Sequence, residues 1–215
     1  MQKEGGDGSQ SCSTPILPFP LQWERNGRGF NGKFHLKTPN VFSFVGHSGS
    51  GKTTLIEQLL RELAGRGLRV ATIKHAHHRV QLDTPGKDSW RYRQAGAAIS
   101  MLVTAGELQL VTDAPVDRHG RREPEQLARR FLGEADLVLA EGFSHAPGVK
   151  IEVLRRERSA LPRCAIGDGL IALVTDVAEV YPQLPHFALD DIVGIVQFML
   201  ERCVPERCIP EQAHD

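Results

Sequence analysis

A three-layer α/β fold of the P-loop NTPase type, with a mostly parallel central sheet in a single domain, is what this sequence predicts. Three observations carry that expectation. Short apolar runs alternate with amphipathic stretches along most of the chain, as strands buried on both faces do when helices separate them. The first run, Val41–Val45, ends at Gly46-His47-Ser48-Gly49-Ser50-Gly51-Lys52-Thr53, which satisfies G-x-x-x-x-G-K-[ST] at every fixed position. An amphipathic helical stretch begins at Lys52, so the match lies between a strand and a helix, where a phosphate-binding loop has to lie.

The elements follow in order. Residues 1–40 are rich in glycine, proline and polar side chains without a period of 2 or 3.6, and read as a flexible, disordered extension. Val41–Val45 is the first strand. From Lys52 to Gly65, Leu55, Ile56, Leu59, Leu60, Leu63 and Ala64 fall on one helical stripe, which Gly65 and Gly67 can end. Val70–Ile73 is the next strand, and Asp88 reads as the N-cap of a helix running towards Gly96. Ile99–Thr104 and Leu108–Thr112 form two strands across a turn containing Gly106. Glu125–Leu132 is a short helix, and Leu137–Ala140, Ile151–Leu154 and Ile171–Val174 are strands. Asp190 or Asp191 caps a final helix with Ile192, Val193, Val196, Met199 and Leu200 facing inward. The expected division is an extension over 1–40, a nucleotide-binding domain over 41–201 and a short C-terminal tail over 202–215.

Composition narrows the function. Lysine plus arginine equals aspartate plus glutamate at 26 each, which gives no basic surplus for a nucleic-acid partner. Cys12, Cys164, Cys203 and Cys208 are too sparse for a disulfide framework, and two of them fall near the C-terminal end. Apolar runs stay well below the ~20 residues of a membrane helix. The N-terminus lacks a secretory apolar core, so the cytoplasm is the expected compartment.

The glycines of the Gly46 loop let consecutive backbone N–H groups converge on an anion, and the helix start adds partial positive charge. Lys52 is placed to reach the β- and γ-phosphates of a nucleoside triphosphate, and the Thr53 hydroxyl to ligate Mg2+. The magnesium site needs an acidic group at the carboxyl end of a neighbouring strand, and Glu141 after Leu137–Ala140 supplies it. Asp136 lies at the other end of that strand, about 16 Å away at roughly 3.3 Å per residue. Asp83-Thr84-Pro85-Gly86 imitates the D-x-x-G of GTPases, but Arg79-Val80-Gln81-Leu82 is a poor strand. Asp83 therefore belongs to a loop, from which it can approach the metal or its waters.

Taken together, FVGHSGSGKTT (44–54), VATIKHAHH (70–78), LDTPGKDSWRYRQAGA (82–97) and LVLAEGFSHAPGVKIEV (137–153) resemble the molybdopterin-guanine dinucleotide biosynthesis adaptor family, MobB. The resemblance spans roughly Val41 to Leu200. It implies GTP binding with weak GTPase activity, homodimerisation, and a role beside the transferase that joins GMP to the pterin of the molybdenum cofactor. Molybdoenzymes are candidates for further partners. By the resemblance, Gly46–Thr54 is the nucleotide loop, Glu141 the Mg2+ acid, and Lys74, His75 and Asp83–Asp88 a signature loop that also includes His77 and His78. The N-terminal extension and the cysteine-bearing tail depart from the family's compact pattern.

Guanine readers commonly carry Asn-Lys-x-Asp after a late strand. This chain has Val174-Thr175-Asp176, which keeps an aspartate for the guanine N–H groups and lacks the stacking lysine. His75, His77 and His78 can ligate a transition metal, contact a pterin phosphate with Lys74, or do neither. Cys203 and Cys208 lack a second ligand pair for zinc. Arg91 and Arg93 can meet phosphates of a partner or simply face solvent. With no glutamine to orient water and no evident arginine finger, hydrolysis should be slow. Two rival functions share the fold. A small-molecule kinase would use Asp117–Glu123 as its lid, and a nickel-type metallochaperone GTPase would rest on the histidines at 75–78.

Overall fold

The computed structural model describes residues 39–76, 80, 82–116 and 122–203. The extension expected over 1–40 lies outside the described residues except for its last two. So do His77, His78, Asp117 to Arg121 of the expected lid, and the tail from 204 onward, with Cys12 and Cys208.

Six parallel strands form the central sheet: β1 (Asn40–Val45), β2 (Val70–Lys74), β5 (Leu137–Glu141), β6 (Lys150–Leu154), β7 (Leu170–Thr175) and β8 (His186–Phe187), in the spatial order β2-β5-β1-β6-β7-β8. Every residue of β1 and β6 is buried, as are the first four of β5, which is why these segments read as mainly apolar runs, with Asn40, Ser43, Lys150 and Glu152 buried among them. The edge strand β2 is only half covered.

Alternate residues of each strand serve opposite faces. Phe42, Phe44, Leu137, Leu139, Ile151 and Val153 pack with Leu55, Leu59 and Leu63 of α1 (Lys52–Gly65) and Ile195, Val196 and Met199 of α4 (Ile192–Glu201). Val41, Val138 and Ala140 pack with Ala128 of α3 (Pro124–Phe131) on the other side. The result is three layers, α/β/α. Side chains such as Leu59 and Leu63, with no exposed surface, contribute about 1.5–3 kcal/mol each.

Between β2 and α3 lie a short helix, α2 (Asp88–Gln94), and an antiparallel hairpin, β3 (Ile99–Val103) with β4 (Leu108–Thr112). The hairpin is a sheet of its own.

Four readings change. Asp88 is not an N-cap: the cap position is Lys87, without a side-chain bond, and Asp88 opens the helix with its carboxylate 3.6 Å from Arg91. A carboxylate in the first turn still suits the helix dipole, so the same residue serves one position later. In α4, Asp191 is the cap, accepting from the Gly194 N–H at 3.0 Å. Val193 faces outward, 61% exposed, at the head of the row that continues through the bonded pair Gln197 and Glu201, while Ile195 and Phe198 turn inward. Cys203 is buried in the core cluster rather than part of a tail. Strand β8 has two residues, too few to leave a period in the sequence.

Replacing Ile195 by alanine should cost about 2–5 kcal/mol in denaturant unfolding. Val193→Ala should stay within about 0.5 kcal/mol. Equal losses would refute this helix orientation.

Candidate nucleotide site

The chain leaves β1 towards β2 and β5 on one side and later crosses to β6, β7 and β8 on the other, so its direction reverses at the carboxyl end of β1. There Gly46, Gly49 and Gly51 have φ of 135°, 76° and 92°, values that suit glycine. A Cβ at Gly46 would collide with the Val153 carbonyl, so this bend is open to glycine alone. Within the loop the Ser50 N–H donates to the His47 carbonyl at 3.2 Å. The amides of His47, Ser48, Gly49 and Gly51 donate to no other described residue.

Lys52 curls into this bend, its ammonium donating to the Gly46 carbonyl at 3.0 Å and the His47 carbonyl at 2.7 Å. Burial holds its pKa below the usual lysine value; Glu141 opposes the shift, and Arg163 and Lys74 add to it. The Thr53 hydroxyl donates to Glu141 Oε2 at 2.9 Å, a contact between residues 88 positions apart. Strand register explains it: Phe44 of β1 and Lys74 of β2 both pair with Glu141 of β5, so three strand ends finish level. Lys74 places its ammonium 3.2 Å from the same carboxylate oxygen. The donor set, one hydroxyl and one carboxylate beside a lysine-lined loop, fits Mg2+ carried by a triphosphate. Two buried polar atoms lack partners here, Ser50 Oγ and Arg155 Nε, and both residues line a small cavity with Thr54. Such orphans are the mark of a place completed by something else.

Other expected residues lie apart from this cluster. Asp136 sits at the amino end of β5, where its carboxylate accepts from the Arg69 N–H at 2.9 Å. Asp83 accepts from the Ser89 hydroxyl at 2.9 Å, and its side chain is committed to the start of α2. Asp176 follows β7, exposed, with Oδ1 accepting from the Arg156 N–H at 2.8 Å. His75 borders the site with its ring 5.1 Å from that of Phe143. Arg91 and Arg93 face Asp88 and Asp113, each at 3.6 Å.

The structure also supplies cations that the sequence reading overlooked. Arg158 brings Nε to 3.0 Å from where a Cβ of Gly49 would lie, and Arg155 brings Nη2 to 3.2 Å from the equivalent point at Gly51. Both come from the loop after β6. Their signal, Arg155-Arg156-Glu157-Arg158, looks like any solvated charge run. Glu152 was likewise overlooked. Fully buried, it accepts the N–H groups of Arg163 at 2.5 Å and Cys164 at 3.0 Å, fixing the next loop. Burial, then Glu152, pushes the Cys164 thiol up, away from the reactive thiolate.

Comparison with known proteins finds these similarities. The profile described as molybdopterin guanine dinucleotide synthesis protein B matches residues 41–176. The molybdopterin-guanine dinucleotide biosynthesis adapter protein of Escherichia coli K12 is 32% identical over 167 residues, 75% of this chain and 91% of that protein. Its counterpart of the same name in Haemophilus influenzae is 38% identical over 157 residues, 73% and 84%. The crystal structure of Bacillus subtilis MobB superposes with a TM-score of 0.57 at 30% identity, covering 77% of this chain and 99% of that one.

Lys52→Ala should weaken triphosphate binding by about 1.5–3 kcal/mol, the scale of a charged hydrogen bond. The exposed Arg158 should cost about 1 kcal/mol or less when replaced by alanine. Isothermal titration with a non-hydrolysable analogue checks both, and unchanged affinity in Lys52→Ala would remove the loop from the site.

Proposed function

The chain belongs to the molybdopterin guanine dinucleotide synthesis protein B family, and we propose that it serves that biosynthesis as an adapter which binds Mg2+ and GTP in the Gly46–Thr54 loop. The observation that carries this reading is the 2.9 Å contact between Thr53 and Glu141. It unites the two groups that would share the ion: the hydroxyl directly, the carboxylate directly or through water. Bound magnesium would neutralise the phosphates, while Lys52 and the loop amides hold them. Asp176 keeps its second carboxylate oxygen for the N–H groups of guanine.

Hydrolysis in this scheme is weak. Arg155 and Arg158 supply positive charge near the loop, and no glutamine is among the described residues that line the cavity around it, so GTP acts as a bound state more than as fuel. The partner is the transferase that attaches GMP to the pterin, with molybdoenzymes beyond it, and the reaction takes place in the cytoplasm. Among the described residues no helix is long and apolar enough to cross a membrane, and no group of three His, Cys, Asp or Glu is arranged to hold a metal. The kinase and nickel-chaperone readings rest on residues mostly outside those described.

A second copy of the chain completes the assembly. The β3–β4 hairpin exposes Ile99, Met101, Leu102, Val103, Leu108 and Leu110, between 38% and 66% of each. An isolated two-stranded sheet is marginal in water, and so large an apolar surface calls for cover. Pairing of two hairpins would supply it.

GTP-analogue affinity should rise on adding Mg2+, and Thr53→Val and Glu141→Gln should each lose most of that increment. An increment that survives in both would exclude the proposed ion site. With Mg2+ and GTP present, the tagged chain should retain a molybdopterin transferase from its own extract; retention of none would count against the adapter role. Met101→Asp combined with Val103→Asp should turn a dimer into a monomer in sedimentation equilibrium, and a persistent dimer would place the contact elsewhere.

A further inference from the structure

Two guanidinium groups lie flat against the phosphate loop. Nε, Cζ and Nη2 of Arg158 stand 3.0, 3.2 and 3.4 Å from the point that a Cβ on Gly49 would occupy. For Arg155 the same atoms stand 3.4, 3.4 and 3.2 Å from the equivalent point at Gly51. Near-equal distances to three atoms of a planar group mean face-on contact, so each guanidinium rests on bare backbone with its N–H edge free. We infer, on the nucleotide reading above, that Arg158 is a catalytic residue for hydrolysis of the bound triphosphate. The chain supplies this arginine to itself, to meet the charge that develops as the last phosphate leaves.

Place decides which arginine acts. Gly49 lines the cavity around the loop together with Lys52, Thr53 and Glu141. That lysine, and the ion that the other two would hold, act on the β- and γ-phosphates. A guanidinium resting on Gly49 therefore stands beside the bond that breaks. Arg155 turns instead to the smaller cavity, with Thr54, Gln58 and Leu189, which neither Thr53 nor Glu141 lines. Its buried Nε has no partner there. Arg155 thus serves the side of the loop away from the ion.

Arg61, Arg66, Arg69, Arg91 and Arg93 each pair with a carboxylate. Among the described residues Arg155 and Arg158 pair with none. Cations gathered at an anion nest without a counter-ion draw one from solution. The turn that carries Arg158 is fixed at both ends. The Arg158 and Ser159 N–H groups donate to the Arg155 carbonyl at 2.9 and 3.0 Å, and the Arg156 N–H to Asp176 Oδ1 at 2.8 Å. Downstream, buried Glu152 receives the N–H groups of Arg163 and Cys164. A donor already in place costs no reorganisation at the moment of reaction. In that reaction a water oxygen bonds to the γ-phosphorus, and the bond from this phosphorus to the β–γ bridging oxygen breaks. The electron pair stays on GDP, and a proton of the water passes to the phosphate released. Negative charge grows on the bridging oxygen, and the planar fork of Arg158 donates to it there. An interaction that strengthens only in the transition state raises the rate and adds little to binding.

The test is single-turnover hydrolysis, by the full chain with Mg2+, of GTP labelled on its terminal phosphate, beside the affinity of a non-hydrolysable analogue. Arg158→Ala should slow hydrolysis about a hundredfold or more, yet change analogue affinity by less than about fivefold. Arg158→Lys keeps the charge and loses the fork, and should regain no more than about a tenth of the original rate. GDP affinity should rise on adding aluminium fluoride, a mimic of the phosphoryl group in transit, and that rise should vanish in Arg158→Ala. Rate and affinity falling together, an unchanged rate in Arg158→Ala, or a loss carried by Arg155→Ala instead would each overturn the assignment. So would a fluoride response that survives without Arg158, or a chain that binds the analogue and hydrolyses no GTP. A chain that fails to bind the analogue brings down the nucleotide reading, and the role of Arg158 with it.

Discussion

Three strand ends that finish level are the constraint on which this molecule turns. Because β1, β2 and β5 run parallel and pair Phe44, Glu141 and Lys74 side by side, a carboxylate and an ammonium from distant parts of the chain arrive beside the first turn of α1. A shift of one residue in either pairing would turn Glu141 or Lys74 to the opposite face and separate them. For β1 and β5 the register is itself held by two buried faces. The chemistry at the loop is therefore a property of the sheet core as much as of the motif.

Much of this was legible in the residues. The Gly46–Thr53 loop is contiguous, and its bend is set by its own glycines, so a short motif discloses it. The place of Glu141 beside Thr53 was legible because a buried parallel strand has a carboxyl end that can be counted to. The α/β order followed from apolar runs that only a doubly covered sheet explains. Arg155, Arg158 and Arg163 escaped because their meaning depends on where loops fold back, and no periodicity records that. Glu152 escaped for a different reason: in a strand pattern it looks like a polar position facing water, whereas it is buried and anchors a neighbouring loop. Val193 misled because β-branched apolar residues are assigned inward by habit, and a helix exposes some of them.

The buried polar groups show how the fold keeps its loops in place. Lys150, 2% exposed, donates to the Asp168 carbonyl at 2.5 Å, and Glu152 receives two backbone N–H groups from the segment beyond. Groups like these are costly to desolvate and are tolerated when they are bonded. Each ties strand β6 to the connection before β7. That connection supplies Arg163 to the cavity beside the loop.

Glu152 has one further consequence. Its carboxylate lies in the interior, yet what it fixes is the backbone at Arg163, on the rim. Small disturbances of packing beneath β6 would reach the surface as a displaced guanidinium. Differences at that rim among related chains can therefore arise from substitutions that lie well beneath it.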